Sequence, residues 1–214
     1  MRKRWESYKE HLETGLWHVH TTYTDGKNTV FEFCQKAQEK GFGFIAFTEH
    51  VRKELTYSFD DFLSDVSSAN DKFDIKAIAG CEASVLNERG ELDVSEDVLK
   101  KSAVVFAAFH RPLHSHVEYI TSVMNMLRNP KVDAWAHPHF IPGSISASGK
   151  KEPSELIMLT MDELRTIMSL AAKNNVLIEN SIRYKTPDEF VSVAKIQGAT
   201  VFRGYDAHRL EDLD

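Results

Sequence analysis

Gly15-Leu16-Trp17-His18-Val19-His20-Thr21-Thr22-Tyr23-Thr24-Asp25-Gly26 sets two imidazoles two residues apart and a carboxylate five residues after the second. Alternate side chains of an extended strand share a face. His18 and His20 are therefore expected to grip one cation from one side, with the Thr-Asp-Gly turn returning Asp25 towards it. Two ring nitrogens and a carboxylate suit Zn, Mn or Fe. A His-x-His pair standing alone would more often be two ordinary strand-end polar residues, so the reading depends on what else the chain holds.

Further candidate ligands recur along the sequence in Thr48-Glu49-His50, Gly80-Cys81-Glu82, Phe109-His110-Arg111, Ala136-His137-Pro138-His139 and Tyr205-Asp206-Ala207-His208. Nearly all follow a short apolar run: Phe44 to Phe47, Ala77 to Ala79, Val104 to Ala108, Val132 to Ala136 and Ala199 to Phe202. Such runs read as strands buried on both faces, the pattern of a parallel sheet. A sixth run, Val176-Leu177-Ile178-Glu179-Asn180, offers a carboxylate and an amide but no imidazole.

Helix signals fall between the runs. Thr29-x-x-Glu32, Thr160-x-x-Glu163 and Thr186-Pro187-x-Glu189 fit the capping box, and Gly41 and Gly198 stand where the first and last of these helices should stop. Val30, Phe33, Cys34 and Ala37 form a 3.6-residue stripe, as do Phe62, Val66, Ala69 and Phe73. Val117, Ile120, Met124 and Leu127 predict another helix, and Leu164, Ile167, Met168 and Ala171 one more. The strand and helix alternation predicts an α/β protein. Ligand clusters after six different strands can converge only if the strand ends surround one point, which a barrel provides and an open sheet does not. The expected fold is a TIM-like barrel of about seven βα units, shorter than the ~250 residues typical of eight. It is expected to be a single domain over residues 1–214 with its core at about 15–210.

The succession His18-x-His20, Asp25-Gly26, His50, Glu82, His110, His137-Pro138 and Asp206-x-His208 resembles the PHP family, the polymerase and histidinol phosphatase domain. The resemblance implies a distorted (β/α)7 barrel, two or three divalent cations and phosphoester hydrolysis. Its ligands would be His18, His20, Asp25, His50, Glu82, His110, His137, Asp206 and His208, with Glu82 bridging and Glu82, Asp206 and His208 also assigned to catalysis. Glu49 stands where many members have Asp, and Tyr205 where many have Ser; neither change removes a ligand. One catalytic zinc uses about three protein ligands, so nine donors exceed the needs of one ion. Metals about 3.5–4 Å apart can share a hydroxide of lowered pKa, the expected nucleophile, and hold a phosphoryl group for in-line attack. The substrate would be a small phosphomonoester such as histidinol phosphate, a nucleotide or a sugar phosphate. Hydrolysis of a C–N or carboxyl ester bond, or a non-catalytic scaffold, are the alternatives.

Phosphate is commonly held by arginine. Arg183, just past the sixth run, and Arg111, after His110, are the expected substrate contacts, with Arg209 more simply read as a loop residue. His139 is an extra imidazole that could act as an acid, but no family position requires it. His114 and His116 suit surface or capping roles and His11 the surface. Cys81, next to Glu82 on a strand, should point away into packing.

Lys and Arg total 26 against 32 Asp and Glu, a formal charge of −6. With no basic stripe beyond Arg2-Lys3-Arg4, this opposes a general nucleic-acid surface and favours a small anionic substrate in a pocket made positive by metals. Two cysteines distant in sequence give no disulfide framework, and no apolar segment resembles a signal peptide or membrane span, so the expected location is the cytoplasm. A turn at Asn87-Glu88-Arg89-Gly90 should end a hairpin begun after Glu82. The longest irregular stretch, Pro138 to about Thr160, leaves the fifth strand directly after His137 and carries Lys150 and Lys151. A long loop there is expected to act as a lid or to select substrate. Deleting Ser144 to Gly149 should change the preferred substrate in a phosphatase panel more than it changes the metal content.

Overall fold

The apolar runs become strands: β1 Leu16–Val19, β2 Phe44–Val51, β3 Lys76–Ser84, β4 Val105–Ala108, β5 Ala134–Trp135, β6 Leu177–Ser181 and β7 Val201–Ala207. The computed structural model describes residues 2–111, 115–140 and 158–214. Sequential strands pair in parallel and β1 pairs with β7, so the described strands close into a seven-stranded barrel. This is the TIM-like (β/α)7 architecture expected from the alternation. The lid expected between Pro138 and Thr160, with Lys150 and Lys151, falls mostly on residues 141–157, and His114 also lies outside the described residues.

Helices α1 Val30–Glu39, α2 Phe59–Lys72, α3 Glu96–Lys101, α4 His116–Arg128, α5 Met161–Lys173 and α6 Asp188–Ile196 lie between the strands. Thr29 and Thr160 make the capping boxes that their spacing predicts. Gly41 and Gly198 follow their helices at φ 82° and 80°, the left-handed backbone that glycine adopts without a Cβ penalty. Thr186 departs from expectation: its hydroxyl accepts from the Ser181 N–H at 2.8 Å, and α6 starts after Pro187 without a side-chain cap. Helix α4 is rotated from its expected stripe. It buries Tyr119, Val123, Met126 and Leu127, while Val117 is 72 % exposed. The hairpin after Glu82 reduces to one antiparallel bridge, Val85 to Leu92, closed by a turn with Gly90 at φ 70°.

Strand alternation sorts the core into two clusters. Leu16, Val19, Ile45, Phe47, Ala79, Cys81, Val105, Ala107, Trp135 and Ile178 face the helices. Trp17, Phe44, Ala46, Ile78, Phe106, Ala108, Ala134, Ala136, Leu177 and Phe202 fill the barrel. An amino-terminal 3-10 helix, Arg4–His11, adds Trp5 and then Leu12 to this interior. It is tied to the barrel by Asp133, which accepts from the Arg4 and Val105 N–H groups at 2.9 and 3.0 Å. His11, expected at the surface, is half-buried there, with its ring stacked on Phe44 at 4.5 Å between centroids and its Nε2 3.5 Å from Glu10. Cys34 and Cys81 are both buried and unbridged. No helix among the described residues is long and apolar enough to cross a membrane.

The aromatic filling is the floor under the strand-end cluster: the Phe106 ring lies edge-on to His18 at 5.3 Å. Phe106→Ala removes a fully buried ring from a close-packed interior, and should lower stability by about 3–5 kcal/mol in urea denaturation.

Candidate functional site

Alternation also decides which polar side chains enter the barrel. On β2 the inward series Phe44, Ala46, Thr48 reaches His50, and on β3 Ile78 and Gly80 lead to Glu82. On β4 Phe106 and Ala108 lead to His110, two residues past the strand. By the same parity His18 and His137 would turn outward, because Trp17 and Ala136 already occupy inward positions. Both instead adopt left-handed backbone, at φ 67° and 30°. The β1 register shifts against both neighbours between Trp17 and Val19, so His18 sits at an irregularity and not on a regular strand. His18 and His20 do share a face as expected, on either side of outward Val19 and with ring centroids 5.0 Å apart; the alternation breaks one step earlier, where Trp17 and His18 both turn inward. Non-glycine residues in this region cost about 1–3 kcal/mol each and cluster at functional sites.

The structure brings all nine expected donors together around Glu82, which is 1 % exposed. Its carboxylate oxygens lie 3.4 Å from His18 Nε2, 3.8 Å from His20 Nε2, 2.8 Å from His50 Nδ1, 3.5 Å from His110 Nε2 and 3.0 Å from His137 Nε2. Asp206 Oδ1 lies 3.4 Å from His20 Nε2 and 3.7 Å from His18 Nε2. Asp25 reaches His50 Nε2 at 3.5 Å and His208 Nε2 at 3.2 Å. The Thr21 to Gly26 turn makes this possible through bonds from the Thr24 and Gly26 N–H groups to the Thr21 carbonyl, both 3.0 Å. A Cβ on Gly26 would sit 2.1 Å from the His20 carbonyl oxygen, so no other residue fits that turn.

Several rings are aimed by their other nitrogen. His110 Nδ1 meets Ser84 Oγ at 2.9 Å, and His137 Nδ1 donates to the Phe140 carbonyl at 3.0 Å. His18 Nδ1 lies 2.7 Å from Glu179 Oε1. Such contacts fix ring orientation and tautomer in metal sites. Glu179 and Glu49 are buried carboxylates to which the sequence reading assigns no part in the site. Glu49 points away from the donor cluster and accepts from the Thr21 N–H at 2.8 Å and from the Thr24 hydroxyl, holding the turn that carries Asp25. Charge at an otherwise apolar strand position is the signal that marks both.

Among the described residues, three combinations can surround a cation: His20, Asp25, His50 and His208; His18, His20 and Glu82; and His50, Glu82 and His110. The donor chemistry fits divalent metals on an independent observation. His18 Nε2, both His20 ring nitrogens and Glu82 Oε2 are buried without a hydrogen bond, and buried polar atoms are rarely left so. Burial, with His50 alongside, pushes the His20 ring down to about 3. Burial also opposes the charge on His50, but Glu82 and Asp25 outweigh it and raise that ring to about 10. Burial likewise opposes the Glu82 carboxylate, yet the imidazoles around it hold it well below the usual range.

A cleft of about 810 Å³ opens over the cluster, lined by Lys27, Arg52, Arg183, Tyr184 and Arg209 as well as the donors. Arg183 takes the expected place, donating to the Asp206 carbonyl at 3.1 Å and lying 3.0 Å from His208 Nδ1. Arg111 does not: it pairs with Asp93 at 3.1 Å and is not among the lining residues. On β4 parity it alternates with His110, so adjacency in sequence carries it away from the cleft. Arg209 and the unexpected Lys27 and Arg52 line it instead. His139 is turned aside, its Nε2 donating to the Tyr184 carbonyl at 2.9 Å, and His116 Nε2 lies 2.9 Å from Glu163 at the start of α5.

The family model described as PHP domain matches residues 17–179. The chain is 27 % identical to the DNA polymerase/3'-5' exonuclease PolX of Bacillus subtilis over 98 % of its own length, but spans only 38 % of that protein. It is 25 % identical to a probable phosphatase of Clostridium novyi, covering 89 % of this chain and 77 % of that one. Its fold is shared with a histidinol phosphate phosphatase of Lactococcus lactis, whose structure holds Zn, L-histidinol and phosphate. The TM-score is 0.67 at 16 % identity, over 92 % of this chain and 87 % of the other.

Added Zn²⁺ or Mn²⁺ should raise the thermal unfolding midpoint, by the equivalent of about 2.7 kcal/mol at a hundredfold excess over the Kd. Scanning calorimetry should find that shift largely lost in Glu82→Ala.

Proposed function

The chain belongs to the PHP domain family, and from that premise we propose that this hydrolase removes the phosphoryl group of a small phosphomonoester, using two or three divalent cations held at the strand ends. One observation carries the reading: donors from six strands converge on a single buried carboxylate, with ring nitrogens beside it that no protein group satisfies. The phosphatase named among the relatives, and the fold neighbour that holds Zn, L-histidinol and phosphate, support the same class.

His18, His20, Asp25, His50, Glu82, His110, His137, Asp206 and His208 would hold the ions, with Glu82 central to them. When bound, such ions act as Lewis acids that acidify water and neutralise charge on the phosphoryl oxygens. The protein's own part begins with aiming the donors: Ser84, a hydroxyl lining the cleft, engages His110 Nδ1 and leaves Nε2 turned towards Glu82. Burial pushes the Tyr184 phenol above its ordinary range, so it stays protonated beside the cleft. Water acidified by the ions is the attacking group of this proposal.

Arg183 orients the substrate. Its guanidinium is anchored by the Asp206 carbonyl and by Asp212 Oδ2 at 3.8 Å, while the side chain stays 38 % exposed to the cleft. A fixed fork of N–H donors matches two phosphate oxygens and loses little freedom on binding. Lys27, Arg52 and Arg209 extend positive charge around the mouth, as an anionic substrate requires.

Hydrolysis of p-nitrophenyl phosphate, with Mn, Zn and Fe supplied separately, tests the proposal. Activity is expected with at least one metal and should vanish in His50→Ala and Glu82→Ala. Arg183→Ala should lower kcat/KM by about 10- to 150-fold, the worth of a charge-assisted hydrogen bond. Cleavage of p-nitrophenyl acetate alone, or phosphatase activity indifferent to Glu82, would overturn it.

A further inference from the structure

We propose that Glu179 is a positioning residue for the cation cluster, holding His18 and His137 in the inward orientation that their strands would otherwise deny them. The inference rests on the reading that the cluster binds divalent cations, and adds to it the device that aims two of the donors.

Glu179 follows Leu177 on β6 with the same parity, so its side chain enters the barrel, where it is fully buried. Among the described residues it has no Lys or Arg partner. It contacts His18 Nδ1 at 2.7 Å through Oε1, and Oε2 accepts the His137 backbone N–H. These partners are two of the three donors with left-handed backbone, and the two that stand out of parity with their strands; the third, Asp206 at φ 49°, keeps the inward parity of Phe202. One carboxylate thus bonds the ring of the first and the main chain of the second, from a strand that pairs with β5 on one side and β7 on the other.

The contact also selects a tautomer. A proton on His18 Nδ1 donated to Glu179 leaves Nε2 with a lone pair, and Nε2 is the buried nitrogen without a hydrogen bond, 3.4 Å from Glu82 and 3.7 Å from Asp206. That is the form a cation requires. The surroundings are shaped to admit the carboxylate: a Cβ on Gly204 would lie 1.8 Å from Glu179 Oε1 and 2.5 Å from its Cγ and Cδ. A buried charge is costly where an apolar residue would pack as well, so stability alone does not call for Glu at a position flanked by Ile178 and above Leu177.

Zn²⁺ affinity of the full chain, measured by competition with a chelating dye, tests this without reference to turnover. Glu179→Gln keeps the shape but offers one acceptor to two donors, and should weaken Zn²⁺ binding by about 10- to 100-fold. In the phosphatase assay, kcat should recover at saturating Zn²⁺, which a merely structural defect would not allow. Gly204→Ala should reproduce the loss by displacing the carboxylate, and should add nothing to Glu179→Ala in the double variant. Wild-type affinity in a folded Glu179→Gln protein would overturn the positioning role while leaving the cation reading intact. Failure of the wild-type chain to bind Zn²⁺ would overturn both. Should the variants not fold, ¹⁵N-histidine spectra of the Zn-loaded wild type decide: a proton on His18 Nδ1 supports the proposal and a proton on Nε2 overturns it.

Discussion

A carboxylate sealed inside a barrel and faced by five imidazoles is the constraint on which the rest of this structure turns. Glu82 is almost wholly removed from water, and a buried ion without compensation costs far more than a single fold can absorb. The chain answers by surrounding it with ring nitrogens from β1, β2, β4 and β5. Imidazolium ions can supply the compensating charge, but only by gathering several protons in one small volume, and His20 resists taking one. Divalent cations would resolve the conflict, since neutral rings and anionic carboxylates could then both act as donors. The electrostatics of folding and the chemistry of the site thus make the same demand.

Geometry imposes a second demand. A parallel barrel supplies inward side chains only at every other residue, and a cluster this dense exceeds what parity allows. The chain meets the shortfall at His18 and His137 by reversing the backbone, and at Asp25 by a turn that tolerates only glycine at position 26. Such local strain persists only where the surroundings over-determine it. Glu179 and Glu49 are placed where they provide that restraint, one gripping both reversed residues and the other gripping the turn.

The sequence carried the fold and the membership of the cluster further than it carried directions. Apolar runs, each ending in a ligand type, were enough to choose a closed barrel, because an open sheet cannot bring six strand ends to one point. His50, Glu82 and His110 were legible in detail, since their inward direction follows from alternation. His18 and His137 were legible as members only, because a reversal at φ 67° or 30° leaves no periodic trace. Arg111 follows the same parity: the alternation that turns Cys81 away from Glu82 also turns Arg111 away from His110, where Asp93 receives it. Glu179 was readable by the same rule, as an acidic residue two positions beyond inward Leu177. The missing cap at Thr186 has another origin, for its hydroxyl is taken by the Ser181 N–H across the loop, a contact that spacing does not reveal.

Charge at the mouth explains how a chain of formal charge −6 can still favour an anion. The cleft is lined by Asp25, Glu82 and Asp206, but also by Lys27, Arg52, Arg183 and Arg209. The acidic groups are turned towards the imidazoles and would be consumed by bound cations, which leaves the basic ones to set the outward field. Arg183 and Arg209 are both restrained by Asp212, at 3.8 and 3.2 Å, so part of the entropy of fixing them is spent in folding and not in binding. Lys27 and Arg52 line the cleft with no ion-pair partner among the described residues, and so would be available to the rest of a substrate held as proposed. On the proposed reading, anchored donors would meet the phosphoryl end and unpaired ones the leaving-group end, a division that follows from which basic side chains the fold pairs.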